Sequence, residues 1–483
     1  MNILIASPEA VPYAKTGGLA DVAGALLKEY RRSCRRASLI MPLYDVVRKT
    51  APLVPTGRRI TVPINNVVVG ADLYATDATD NPAAYFVECD QLYARPELYG
   101  TPDGDYHDNA VRFIFFSRAV LEACMVLGIC PDVIHCNDWQ TALIPLYLKT
   151  LYASRRQLKG TATIFTVHNL GYQGNFDPSA LFYTGLGRAY FTPEQLEFYG
   201  RLNFMKAGLL HADILTTVSE TYAREITSPE HGFGLDGVLR KRQADLYGVL
   251  NGLDAAEWDP STDASIPATY GPSSMAGKAR CRQALRKRCG FRDGGKPVFG
   301  VVSRLSHQKG LDLVAEALDD LVSDGVNVAV FGKGDEHYQN LLAAAAARHR
   351  GRAHVEIGFA EETARLIYAG SDFFLMPSRY EPCGLGQMIA MRYGTLPVAR
   401  ATGGLKDTIS DVRHLEARGT GFLFADASAS SLRAACQRAV CVYADPAKHA
   451  RIIGEAMRTD FSWRATAERY LSLCRAAIRR KTG

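Results

Sequence analysis

Pro297-Val298-Phe299-Gly300-Val301-Val302-Ser303-Arg304-Leu305-Ser306-His307-Gln308-Lys309-Gly310 begins as a short apolar run, Pro297 to Val302, breaks into a polar turn carrying two cations, and runs on into a helical pattern. A buried strand that ends in a turn and leads into a helix is the repeating unit of a parallel sheet covered by helices. The unit recurs in both directions. Further strands are predicted at Asn2 to Ala6, Asp132 to His135, Thr163 to Val167, Ile214 to Val218, Val328 to Phe331, Phe373 to Met376 and Leu396 to Ala399. Leu19, Val22, Ala23, Leu26, Leu27 and Tyr30 share one helical face between two of them. From Asn251 to about Gly277 the pattern lapses into Gly, Pro, Asp, Ser and Thr, the composition of a linker. The reading is therefore α/β, with two doubly wound, Rossmann-like domains at about 1–253 and 254–483. Ligands are expected at the carboxyl ends of their strands.

Composition narrows the function classes without choosing one. A chain of 483 residues, 47% hydrophobic and 22% charged, is too long for a single core, and a net charge of +6 is too mild to demand an anionic partner. No nucleic acid is expected. The nearest approach to a membrane span, Phe113 to Cys130, is broken by Ser117, Arg118 and Glu122 and reads as a buried helix. Met1 leads straight into a strand-like run without a signal or transit segment, so a cytoplasmic location is expected. The eleven cysteines contain no Cys-x-x-Cys pair, and Cys124, Cys130 and Cys136 beside His135 fall on a helix, a loop and a strand end. Buried thiols, rather than disulfides or metal ligands, are expected.

Small-residue turns follow several of the strands. Ser7-Pro8-Glu9 leads through Lys15-Thr16-Gly17-Gly18 into the first helix, a geometry that offers backbone N–H groups to an anion. It matches neither a phosphate-binding G-x-x-x-x-G-K-[ST] loop nor a G-x-G-x-x-G fingerprint, so nucleoside triphosphate and dinucleotide readings are weak. Arg304 and Lys309 are two cations that would neutralise a diphosphate leaving group if both face the strand-end crevice; read alone, they are better taken as solvated surface charges. Pro377-Ser378-Arg379-Tyr380-Glu381-Pro382-Cys383-Gly384-Leu385-Gly386 is a third such turn, and Thr402-Gly403-Gly404-Leu405 a fourth.

Together with His135-Cys136-Asn137-Asp138-Trp139-Gln140, Thr166-Val167-His168-Asn169, Tyr172-Gln173-Gly174 and Asn251-Gly252-Leu253-Asp254, these motifs in this order resemble the bacterial glycogen synthase and plant starch synthase family over nearly the whole chain. The resemblance implies the GT-B architecture, two Rossmann-like domains facing a deep interdomain cleft. The acceptor would lie mostly on the first domain and the donor mostly on the second. The last helix, about 463–480, would cross back to the first domain, with Ala467, Tyr470, Leu471, Leu473, Cys474 and Ile478 available for packing.

The activity implied is transfer of glucose from ADP-glucose to an α-1,4-glucan with retention of configuration, without metal or cofactor. Carried over motif by motif, Lys15, Gly17 and Gly18 would approach the donor phosphates and glucose, and Arg304 and Lys309 would hold the diphosphate. Glu381 would contact the transferred glucose, while Asp138, His168 and Asn169 would line the sugar pocket. Cys383, with the amides of Gly384, Leu385 and Gly386, would meet the distal phosphate. Phe359 stands where the family places an aromatic against adenine, and Asn251, Thr402 and Gly403 complete the donor set. The catalytic group would be Glu381, His168, Asp138, Lys309 and Arg304.

Two departures stand out: Gly386 replaces a common Thr or Ser, and Ile389 stands eight positions after Glu381 where many GT-B relatives carry a second Glu. The second is usual in the glycogen and starch synthase branch. Asp103-Gly104-Asp105 is the one Asp-x-Asp match and reads as a loop outside the donor segments. A nucleotide-sugar epimerase, a dehydrogenase and a non-catalytic glucan-binding protein are the competing classes. The epimerase would release free sugar without glucan and the dehydrogenase would need a nicotinamide. The binding protein would not need Arg304, Lys309 and Glu381 together. Oligomeric state is not legible in these residues.

Overall fold

The computed structural model describes residues 1–79, 81–101, 104–292, 294–412 and 418–482. The chain divides into two compact units, one formed by Met1–Val218, Ala223–Gly252 and the terminal segment from Trp463, the other by Ser219–Tyr222 and Leu253–Ser462.

The first unit is built on a nine-stranded sheet in the order Leu246–Gly248, Ile214–Thr217, Ala162–Val167, Val133–Asn137, Asn2–Ala6, Arg36–Pro42, Ala84–Glu88, Val67–Ala75, Val54–Ile64. The strands from Leu246–Gly248 to Ala84–Glu88 are parallel. Every residue of Ala162–Val167 and of Val133–Asn137 is buried, which is why apolar residues dominate both strands, with Thr163, Thr166, His135 and Asn137 as the polar exceptions. Val54–Ile64 and Val67–Ala75 instead form an antiparallel hairpin at the sheet edge. Ile60, Val62 and Ile64 point inward while Thr61 and Pro63 face solvent, the alternation of a sheet wet on one side. The chain leaves Asn2–Ala6 toward Arg36–Pro42 on one flank and later fills the other flank with Val133–Asn137. The order thus reverses between Asn2–Ala6 and Val133–Asn137, and the crevice beyond their carboxyl ends is this unit's natural binding position.

Asn109–Val126 is a helix buried almost throughout, consistent with the apolar run read there. The terminal helix Trp463–Thr482 packs on helix Gly18–Ser33 and on strands Ala162–Val167 and Val133–Asn137. Its Ala467, Tyr470, Leu471, Leu473 and Cys474 are buried and Ile478 is half-buried. The Tyr470 ring lies 5.1 Å from that of His135.

His135 is fully buried, with Nε2 2.7 Å from Thr166 Oγ1 and Nδ1 3.3 Å from Tyr30 Oη. Burial lowers its pKa from 6.5 to about 3. The unfolded chain takes up a proton below 6.5 that the fold refuses, so this contribution to stability is complete above pH 6.5 and is lost as pH falls toward 3. Melting temperature is therefore expected to fall between pH 7 and pH 4, and to fall less in His135→Gln; equal slopes for the two proteins would contradict this.

The second unit holds a six-stranded, all-parallel sheet in the order Ala353–Ile357, Asn327–Gly334, Val298–Leu305, Phe373–Met376, Leu396–Arg400, Phe422–Phe424. Here the order reverses between Val298–Leu305 and Phe373–Met376, so the turns after these two strands meet at the switch point. Those turns are the Lys309 and Glu381 segments.

One expectation needs correction. Gly104–Asp105 is not loop but pairs antiparallel with Gly100–Thr101 in a small ribbon; Asp103 lies outside the described residues. Cys124, Cys130 and Cys136 fall on a helix, a loop and a strand as read; Cys124 and Cys136 are buried, whereas Cys130 is exposed, against the expectation of a buried thiol, and no disulfide joins cysteines among the described residues.

Candidate active site

In the first unit, the site grows from the ends of Asn2–Ala6 and Val133–Asn137. Asn137 Nδ2 donates to Ala6 O at 3.1 Å, tying the two strand ends together, and its Oδ1 faces His168 Nε2 at 2.9 Å. Because Nδ2 is engaged with carbonyls, Oδ1 is the acceptor, and His168 carries its proton on Nε2. Burial, reinforced by nearby His135, lowers the His168 pKa to about 3, so the ring is neutral and its Nδ1 keeps a lone pair.

Asp138 sits at φ 54°, ψ −177°, a region ordinary side chains avoid at a cost of about 1–3 kcal/mol. Its Oδ1 accepts the His168 N–H at 2.7 Å. Burial, with a smaller push from Glu9, raises the carboxyl pKa to about 7. Asn169 Oδ1 accepts from Gly171 N at 3.0 Å and shapes the turn that follows. Trp139, next to Asp138, packs against Phe113, Phe176 and Phe204 as part of an aromatic cluster.

Glu9 is the residue the sequence reading quoted without giving a role. Only 4% exposed, its carboxylate accepts from Thr16 N at 2.5 Å, Thr16 Oγ1 at 2.9 Å, Gly17 N at 3.3 Å and Tyr99 Oη at 3.1 Å. The amides of Thr16 and Gly17, expected to face an anion, are thus turned toward this carboxylate. Among the described residues no side chain caps the helix that starts at Gly18, and Lys15 pairs with Asp21 at 2.7 Å at the surface. The signal for Glu9 was an acid directly beyond the first strand and just before a glycine turn. Asn137 was equally visible inside its motif.

In the second unit, Lys309 Nζ lies 2.6 Å from Glu381 Oε2, and Ser378 Oγ donates to the same oxygen at 3.0 Å. The pair is largely buried, with side-chain exposures of 17% and 6%. Two glycines hold the turns together. A Cβ on Gly310, next to Lys309, would lie 2.1 Å from Pro377 O, and one on Gly403 would lie 1.9 Å from Glu381 O. Both also have positive φ, 62° and 45°. Gly403→Ala is accordingly expected to lower melting temperature by several degrees and to displace Glu381; an unchanged melting curve would contradict the packing described here.

Glu381 does not cap the helix Gly386–Arg392, whose start has no side-chain cap. Gly384 has φ 76°, Cys383 is buried, and Leu385 and Gly386 are half-buried. Thr402 is buried at the foot of helix Gly403–Thr408. Arg304 is exposed near the end of its strand. Phe359, beyond the edge strand Ala353–Ile357, is 96% exposed. Asn251, in the first unit, is buried, and its Oδ1 has no hydrogen-bond partner among the described residues. The structure thus gathers Asp138, His168 and Asn169 in one unit, and Lys309, Glu381, Cys383, Gly384 and Gly403 in the other; Phe359 stands apart on the outer edge.

Residues 2–241 match the family described as starch synthase catalytic domain, and residues 284–458 match glycosyl transferases group 1. The chain is 45% identical over 480 residues to a glycogen synthase of Syntrophotalea carbinolica, covering 99% of each, and 44% identical over 485 residues to glycogen synthase 2 of Geobacter sulfurreducens, covering all of both. It superposes with a TM-score of 0.89 on the catalytic domain of starch synthase IV from Arabidopsis thaliana bound to ADP and acarbose, at 31% identity and 99% coverage of each chain. A sucrose-phosphate synthase from Thermosynechococcus elongatus, at 19% identity, covers 98% of each chain with a TM-score of 0.60 and shares the fold. Two Rossmann-like sheets, each with its chemistry-bearing turns at the switch point, and full-length identity above 40% lead to one assignment: the chain belongs to the glycogen and starch synthase family of GT-B glycosyltransferases.

Proposed function

We propose that this glycosyltransferase moves glucose from ADP-glucose to the non-reducing end of an α-1,4-glucan, with retention of configuration. The observation that carries the reading is the Lys309–Glu381 pair at the switch point of the second unit. A cation there can neutralise a departing diphosphate, and a carboxylate beside it can orient the sugar. Relatives named glycogen synthase, and a starch synthase bound to ADP and acarbose, support the same donor and acceptor classes.

In this reading Lys309 and Arg304 hold the diphosphate of the donor, with Thr402 and the amides of Gly384, Leu385 and Gly386 around it. Phe359 offers an exposed ring to the purine. His168, neutral, accepts from a sugar hydroxyl at Nδ1. Asp138, with its carboxyl near pH 7, fixes the His168 segment. One Glu381 oxygen is held by both Lys309 and Ser378, an arrangement suited to orientation rather than nucleophilic attack. That favours attack from the leaving-group side, with the departing phosphate accepting the proton of the acceptor hydroxyl.

The test is incorporation of label from ADP-glucose or UDP-glucose into glycogen, run in parallel with and without EDTA. ADP-glucose is expected to be the better donor, and EDTA to have no effect because protein cations supply the charge. Equal use of UDP-glucose would overturn the donor assignment, and EDTA inhibition reversed by magnesium or manganese would overturn metal independence.

A further inference from the structure

We propose that Arg379 is a positioning residue for the transfer step: through Asp312 it locks the turns that carry Lys309 and Glu381 in one register, so that these two side chains meet. The inference deepens the donor-site reading above and rests on it. Arg379 stands two positions before Glu381, and Asp312 three positions after Lys309. Their side chains form a fork, with Arg379 Nη1 donating to Asp312 Oδ1 at 2.8 Å and Nη2 to Oδ2 at 2.6 Å. Each segment thus supplies one cation and one acid, and the two ion pairs that join them have opposite polarity. A slip that carried one cation toward the other would set like charges together, so the crossed pairs favour a single register.

The backbone follows the same seam. Arg379 N donates to Gln308 O at 2.8 Å, and Arg379 Nη1 also reaches His307 O at 3.1 Å. Buried Gln308 returns a bond from Nε2 to Tyr380 O at 3.3 Å. Arg400, at the end of strand Leu396–Arg400, donates to Arg379 O and holds it from the other side. His307 and Gln308 before Lys309, and Asp312 after it, are therefore all bonded to Arg379 or Tyr380 just before Glu381.

Global stability does not account for the fork. Its side chains are 26% and 33% exposed, and ion pairs that water still reaches contribute little to folding. The Arg379 guanidinium holds the Asp312 carboxyl below the usual carboxylate range, so both partners stay ionised near neutral pH. What the fork adds is direction, because a planar guanidinium on a carboxylate fixes angle as well as distance, which the point charge of a lysine does not. Transfer is sensitive to such placement: a reacting group displaced by about 1 Å can lose about a hundredfold in rate.

The experiment measures initial glucose transfer from ADP-glucose to glycogen, ADP affinity and melting temperature for wild type, Arg379→Met, Arg379→Lys, Asp312→Asn and Arg379→Met/Asp312→Asn, and repeats Arg379→Met and Asp312→Asn in a Glu381→Gln background. Arg379→Met is expected to lower turnover roughly ten- to a hundredfold, with ADP affinity within about threefold and melting temperature within a few degrees of wild type. Arg379→Lys, which keeps the charge but not the fork, should recover only part of the loss. If the fork acts as one unit, Arg379→Met/Asp312→Asn is no slower than Arg379→Met. If it acts through Glu381, Arg379→Met slows the Glu381→Gln protein by less than about threefold, where a general structural fault would cost the full factor again. Should Arg379→Met alone fail to fold, Asp312→Asn carries the same comparison. Turnover of folded Arg379→Met within about threefold of wild type, or its full loss repeated on top of Glu381→Gln, would overturn the inference. Unfolding of both Arg379→Met and Asp312→Asn would overturn it too, by making the fork a stability device. A wild type that transfers no glucose from ADP-glucose would overturn the donor reading, and the inference with it.

Discussion

Lys309→Met is expected to reduce glucosyl transfer by about a thousandfold or more while leaving the protein folded but less stable. Two losses combine. The cation proposed to meet the departing diphosphate disappears, and removing one preorganised electrostatic group of this kind costs about a hundred- to a thousandfold. Glu381, 5% exposed, also loses its counter-ion and keeps the Ser378 hydroxyl, so its placement against the donor sugar suffers as well. Breaking a buried pair from one side destabilises by about 3 kcal/mol, which for a unit of this size lowers melting temperature by roughly 6–12 °C. The double variant Lys309→Met/Glu381→Gln removes both charges and should recover much of that stability without recovering activity. Initial transfer rate, ADP affinity and melting temperature on one preparation check all three. Transfer within tenfold of wild type by Lys309→Met would remove this lysine from the donor site.

The parts of the fold that the sequence made legible are those buried on both faces. Ile3 to Ala6, Val298 to Val302 and Phe373 to Met376 are apolar runs, Ala162–Val167 is interrupted only by Thr163 and Thr166, and their turns announce themselves with glycine and proline. The hairpin Val54–Ile64 with Val67–Ala75 is hard to read from residues because only Ile60, Val62 and Ile64 of its first strand and Ala71, Leu73 and Ala75 of its second are buried, and Arg58, Arg59, Pro55 and Pro63 interrupt the pattern. The motifs picked out Lys309 and Glu381, but not that they bond to each other; a separation of 72 residues is closed only by the sheet order. Glu9 was missed for a related reason. A carboxylate eight positions before a glycine turn looks like a surface acid until the turn folds back over it and burial raises its pKa. The strain at Asp138, Tyr199 and Phe233 is a property of backbone geometry, which residue types alone do not encode.

Glu381→Gln is the sharper variant because it changes charge and little else. Gln retains size and an oxygen that can accept from Lys309 and Ser378, so the turn should persist with a modest fall in stability. What it loses is the negative charge that the proposed function puts beside the donor ring, where positive charge develops as the bond to the diphosphate breaks. An interaction strengthened in the transition state acts on turnover more than on nucleotide binding. Turnover is therefore expected to fall about a hundredfold or more.

The most direct test of the donor site is the initial rate of glucose transfer from ADP-glucose to glycogen by Glu381→Gln, read beside ADP affinity on the same sample. A loss of about a hundredfold or more in rate, with ADP affinity within about threefold of wild type, is the expected result; near-normal turnover in a folded, ADP-binding Glu381→Gln protein would contradict the account.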